Sequence, residues 1–118
     1  MRNKEIKNSE RPWGKYFILD ETPLYKIKRI EVDVNGRLSY QYHEKRSETW
    51  VVIHGEGIVT IDGKTKKIGK GDVLTIPQKS KHRIENIGHE KLIFIEVQMG
   101  IYFGEDDIVR IEDDYNRE

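Results

Sequence analysis

A chain of 118 residues is one domain by length, long enough to enclose a modest hydrophobic core. Its 21 Lys and Arg balance 21 Asp and Glu, and this zero net charge argues against nucleic acid or an anionic membrane as the main partner. Cysteine is absent, so there are no disulfides and any metal site must use nitrogen and oxygen ligands. A mean hydropathy of −0.76 accompanies disorder mainly when net charge is large, whereas here the apolar residues fall in organised runs. A folded domain with a charged exterior is expected.

Residues 1–10 are polar and charged and read as a flexible arm, or as a segment ordered only by a partner. They lack the apolar stretch of a signal peptide, and no apolar run approaches the roughly 20 residues of a membrane span. A soluble cytoplasmic protein is expected. Ile30, Val32 and Val34 alternate with Glu31 and Asp33, the period of a half-buried strand, and Asn35-Gly36 ends it in a turn. Residues 38–43 and 50–53 are the next strands, separated by a polar turn at 44–47, and residues 54–57 turn the chain into a strand at 58–61. Asp62-Gly63 is a hairpin signal, residues 73–76 form a strand stopped by Pro77, and 83–87 and 92–98 complete the series. Closely spaced short strands with glycine-containing turns predict an all-β sandwich or barrel. The only helix expected is a short one in the acidic tail after Gly104.

Gln41 and His43 are two apart on one predicted strand, so both side chains leave the same face. Glu48 lies just beyond the following turn, and His82 opens a later strand. Imidazole nitrogen, carboxylate oxygen and amide oxygen together suit a first-row divalent ion. One carboxylate against a dication leaves positive charge to polarise a bound oxygen. His54 and His89 sit in glycine-containing turns and read as exposed; Trp13, Tyr16 and Trp50 read as structural.

Gly36-x4-Gln41-Tyr42-His43-x4-Glu48-x6-Gly55 resembles the first cupin motif, with Gln in place of its first His. Gly71-x5-Pro77-x4-His82-x3-Asn86 resembles the second, with Lys79 where glycine is usual. The resemblance implies a cupin double-stranded β-helix spanning residues 11–118 with Gln41, His43, Glu48 and His82 on one divalent metal. Zinc is the first choice, with Mn, Co, Ni or Fe as alternatives. A further series, Arg11-Pro12-Trp13-Gly14-x-Tyr16, Arg46-Ser47-Glu48-Thr49-Trp50 and Gly104-Glu105-Asp106-Asp107-Ile108-Val109-Arg110, resembles the C-terminal domain of type II phosphomannose isomerases. In bifunctional enzymes this domain follows a mannose-1-phosphate guanylyltransferase. No glycine-rich phosphate loop opens a helix in this sequence, and no guanylyltransferase activity is expected.

The implied reaction interconverts mannose 6-phosphate and fructose 6-phosphate, moving a proton from C2 to C1 of the open-chain sugar through an enediolate. Lys28, Glu96 and Arg110 are the candidate catalytic residues. Lys28 shares parity with Ile30 and Val32, and Glu96 and Gln98 share it with Leu92 and Phe94; the alternatives are a lysine snorkelling to solvent and an exposed carboxylate. Arg110 is the first candidate for phosphate, followed by Arg29 and Arg46 and then Arg83, Lys79 and Lys81, although Arg110 sits in an acidic neighbourhood that also reads as a solvated tail. The other readings are a sugar- or sugar-phosphate-binding module without catalysis, or a cupin enzyme of another class such as an Fe(II) oxygenase. A homodimer is expected.

Overall fold

Alternation of buried and exposed side chains organises the molecule. In the computed structural model, which describes residues 7–116, the chain forms strands β1 (Lys7–Arg11), β2 (Gly14–Glu21), β3 (Tyr25–Val32), β4 (Tyr40–Tyr42), β5 (Arg46–His54) and β6 (Glu56–Ile61). They continue with β7 (Lys64–Gly69), β8 (Val73–Ile76), β9 (His82–Asn86), β10 (Leu92–Gly100) and β11 (Val109–Glu112). There is no helix among the described residues. The strands make two antiparallel sheets, in the order β1-β2-β3-β10-β5-β8 and β11-β4-β9-β6-β7, enclosing one core in the expected cupin arrangement.

The three central strands of the larger sheet carry a gradient along their inward faces. At one end Leu92 pairs with Val32, and Phe94 pairs with Ile30 and Val52, all of them buried apolar residues. Two pairs further along, Glu96 meets Lys28 and Trp50, and Gln98 meets Lys26 and Glu48, all buried as well. The barrel therefore has a dry end that supplies cohesion and a polar end whose groups require partners. The chemistry is concentrated at the polar end.

Two expectations change. Residues 7–10, expected in a flexible arm, are paired with β2 as part of β1; residues 1–6 lie outside the described residues. The expected helix after Gly104 is a turn leading into β11, which pairs with β4. Strands β2 and β7 carry weak periodicity: β2 has an irregularity between Ile18 and Asp20, and β7 has one buried residue, Ile68, among lysines. A lysine-rich edge strand is one that discourages further pairing, so its polarity conceals it in the sequence.

Candidate metal centre

His43, Glu48 and His82 are all buried, and one ligand atom from each lies within 4.8 Å of the others. Glu48 comes from β5 in the larger sheet, His82 from β9 in the smaller, and His43 follows β4 directly, so both sheets contribute. Each imidazole is oriented through Nδ1, on the carbonyl of Asp107 at 2.7 Å for His43 and on that of Ser80 at 2.9 Å for His82. A ring donating from Nδ1 to a carbonyl keeps its lone pair on Nε2, where for His43 an ion would take the place of Arg46 Nη2, now 3.3 Å away. Gln41 pairs in register with His82, and its Nε2 is bonded to Ser39, leaving Oε1 as the available ligand atom.

Burial pushes His43 down to about 4, helped by Arg46 and His82 and opposed by Glu48, so near neutrality the ring is in its ligating form. Burial alone would raise Glu48, but Arg46, His43, His82 and the Trp50 indole outweigh it and hold the carboxylate at about 2. Trp50 Nε1 donates to Oε1 at 2.9 Å and Arg46 Nε to Oε2 at 2.8 Å. Two imidazoles and a carboxylate within 4.8 Å of one another, with the Gln41 amide lining the same cavity, fit a divalent ion in both chemistry and charge.

The segment at 101–108 is fastened across this end of the barrel. The carboxylate of Asp107 accepts the backbone N–H groups of Glu44 and Lys45, each at 3.0 Å, while its carbonyl holds His43. Glu105 takes Lys28 at 2.6 Å and Lys26 at 2.9 Å. The result is a cavity of about 80 Å³, several times what one water needs, lined by the four candidate ligands and by Lys28, Arg46, Glu96, Glu105 and Arg110.

The other sequence candidates divide clearly. Glu96 is buried in the cavity wall, its Oε2 accepting Gln98 Nε2 at 2.5 Å. Burial and the neighbouring Glu48 charge push its carboxyl up to about 7 against the pull of Lys28, Arg46 and Gln98. Lys28 is buried too, and its Nζ is engaged by Glu105 at 2.6 Å. Arg110, opposite Gln41 in the β11–β4 register, lines the cavity. Arg46 also lines it but is engaged with Glu48 and with His43 Nε2 at 3.3 Å, rather than held open for phosphate.

Arg29 does not reach the site. Its parity turns it outward, where it bonds Glu31 and lies over the Phe17 ring. Lys79 and Lys81 are exposed, and Arg83, though beside the cavity, is bonded to Leu38 and Glu112. His54 and His89 are exposed, and Trp13, Tyr16 and Trp50 belong to the core, all three also lining the cavity. Sequence reasoning missed Arg11, Glu105 and Asp107 as individual contributors, although all three lie inside the motifs it singled out.

The family model described as mannose-6-phosphate isomerase C-terminal matches residues 2–113. The chain belongs to this family. It is 46% identical over 107 residues to the mannose-1-phosphate guanylyltransferase ManC of Salmonella typhimurium, covering 91% of this chain and 22% of that protein. The family domain thus spans about a fifth of this relative's length. Among solved structures, the Lactobacillus farciminis oxalate decarboxylase superposes with a TM-score of 0.79 at 26% identity, over 90% of this chain and 33% of that one. The Schizosaccharomyces pombe Cnp3 cupin domain superposes with a TM-score of 0.70 at 17% identity, over 83% and 69% of the respective chains, a likeness of fold. The fold of this family domain is that of a cupin.

Proposed function

We propose that this domain is a metal-dependent sugar-phosphate isomerase interconverting mannose 6-phosphate and fructose 6-phosphate, with zinc as the first choice of ion. The observation that carries the reading is Glu96: a buried carboxyl without an ion-pair partner among the described residues, in the same cavity as a His/Glu/His cluster. Aldose–ketose isomerisation needs one group that takes the C2 proton and returns it to C1. A carboxyl poised near neutrality can work in both directions. Gln98 holds Oε2 of Glu96, leaving Oε1 as the atom that receives and returns the proton.

When bound, a dication held by Gln41, His43, Glu48 and His82 supplies positive charge against the oxygens that become negative. Burial of the cavity strengthens every such interaction by excluding water. Trp50 and Arg46 keep Glu48 ionised and oriented, and Arg110 is the candidate for the substrate phosphate. The guanylyltransferase activity in the relative's name is not part of the proposal.

The test is a coupled assay for fructose 6-phosphate formed from mannose 6-phosphate, using protein loaded separately with Zn, Mn, Co, Ni and Fe. Turnover with one or more metals is expected. Tight sugar-phosphate binding with no turnover under any metal would overturn the isomerase reading and leave a binding module. We also propose a homodimer, supported by Val73 and Ile53, 60% and 45% exposed on neighbouring strands of the larger sheet. Light scattering that shows a monomer at every concentration would exclude it.

A further inference from the structure

We propose that Arg11, supplied by the β1–β2 hairpin, is a phosphomonoester-binding residue of this cavity. The inference rests on the sugar-phosphate reading and adds to it a residue from a part of the chain remote from both metal-ligand motifs. Five cationic side chains line the cavity: Arg11, Lys28, Arg46, Arg83 and Arg110. Three of them face a carboxylate already, Lys28 with Glu105 at 2.6 Å, Arg46 with Glu48 at 2.8 Å and Arg83 with Glu112 at 3.0 Å. Arg11 is different. Its contacts among the described residues are all to neutral groups: the Glu10 carbonyl at 2.9 Å, the Tyr16 hydroxyl at 3.2 Å and the Tyr16 ring, 5.0 Å from its centroid.

Neutral acceptors are exchanged readily for a dianion, whereas a carboxylate partner competes with it. A guanidinium offers phosphate two parallel N–H donors, which a lysine cannot do. The surroundings favour the same occupant. Lys28 Nζ, 4.0 Å from the centroid of the same Tyr16 ring, is already compensated by Glu105, so the added positive field would come from a dication at the His/Glu/His cluster.

The hairpin holds Arg11 firmly enough to make a site. Pro12 and Trp13 connect the strands, the Trp13 side chain is buried, and its carbonyl accepts Asp33 N–H at 2.9 Å. Gly14 follows with φ of +151°, and a Cβ there would lie 2.1 Å from the Glu31 carbonyl oxygen. Only glycine lets the turn press against β3 this closely. The hairpin is thus clamped at Trp13 and Gly14, two and three residues beyond the one that carries the guanidinium into the cavity wall.

The test is calorimetric titration of the metal-loaded full chain with inorganic phosphate and with mannose 6-phosphate, comparing wild type, Arg11→Gln, Arg11→Lys and Arg29→Gln. Arg11→Gln is expected to weaken both ligands by about ten- to a hundred-fold, the usual effect of losing a charge-assisted hydrogen bond. Arg11→Lys should recover part of that loss, and Arg29→Gln, on the outer face, should match wild type. If Arg11→Gln fails to melt cooperatively, Arg11→Lys alone decides, and wild-type affinity in it overturns the proposal. Unchanged affinity in Arg11→Gln, or a wild type that binds neither ligand, also overturns it. Because no turnover is needed, the two readings fail separately. Phosphate held through Arg11 in a protein that never isomerises sinks the isomerase; turnover with an indifferent Arg11→Gln sinks the subsite.

Discussion

Glu48 and Glu96 occupy one cavity and are driven in opposite directions, to about 2 and about 7. Glu48 has a guanidinium and an indole donor within 3 Å, at 2.8 and 2.9 Å, whereas Glu96 has an amide. Where two carboxyls share a site, such divergence suits one to a permanent charge and the other to proton exchange. If Glu96 is the base, the rate should rise with pH as its ionised form grows, and with the ion bound the limb should lie below the value of about 7 that burial and the Glu48 charge set in the metal-free cavity. Glu96→Gln should lose about 10²- to 10⁴-fold in kcat, and lose the limb, while metal content by elemental analysis stays unchanged. The stability sign is the reverse. A carboxyl raised in the folded state contributes below its unfolded value and loses that contribution as pH rises through about 7. Glu96→Gln should therefore melt higher than wild type at pH above 7, and a lower melting temperature there would count against this environment. Strand parity made the burial of Lys28 and Glu96 legible in the sequence, and the same parity excludes Arg29, one residue from Lys28. Ion-pair partners across the barrel, such as Glu105 for Lys28, follow no period and were not legible.

The segment at 101–108 shows why an element can be misread although its motif is recognised. An acidic run after glycine suggests a helix start, yet each carboxylate is used by a distant or turn-forming partner. Glu105 binds Lys26 and Lys28, Asp106 accepts the Tyr102 hydroxyl, and Asp107 caps the amides of Glu44 and Lys45. Tertiary bonds of this kind override local propensity. Asp107→Ala leaves the carbonyl that orients His43 but releases the backbone that carries it. Metal affinity, measured by chelator competition, should fall by about ten-fold, the lower end for loss of a ligand's supporting bonds. An unchanged affinity would show that His43 is positioned without the strap. Glu105 gives the strap a pH dependence. Burial opposes its ionisation, but Lys28 and Lys26 outweigh burial and hold it at about 2, below its ordinary 4.5. Its contribution is thus present above pH 4.5 and fades as pH falls from there toward 2. Hydrogen exchange should show residues 101–108 loosening in that window, and Glu105→Gln should loosen them already at neutral pH.

At the scale of the whole molecule the ligand cluster is a clasp between sheets, since Gln41 and His82 belong to the smaller sheet and Glu48 to the larger. The two spaced motifs made the barrel and the convergence of its candidate ligands legible, because alternation and turn chemistry determine which side chains enter the interior. What no spacing conveys is how the clasp is held without an ion. Arg46 serves that purpose, its Nε on Glu48 and its Nη2 against His43, so the buried carboxylate is compensated and the metal-free protein should fold. An ion that binds only the folded state at a hundred times its dissociation constant adds about 2.7 kcal/mol, on the order of 10 °C in Tm for a domain of this size. Arg46→Met separates the two forms. Without metal it leaves Glu48 buried and unpaired, a cost of about 3–5 kcal/mol, whereas a bound dication would itself neutralise that carboxylate. Calorimetry with and without chelator should therefore show the substitution lowering the metal-free Tm far more than the loaded one, so that the metal-induced shift widens. Equal losses in both forms would mean that Arg46 stabilises the barrel independently of the ligand cluster.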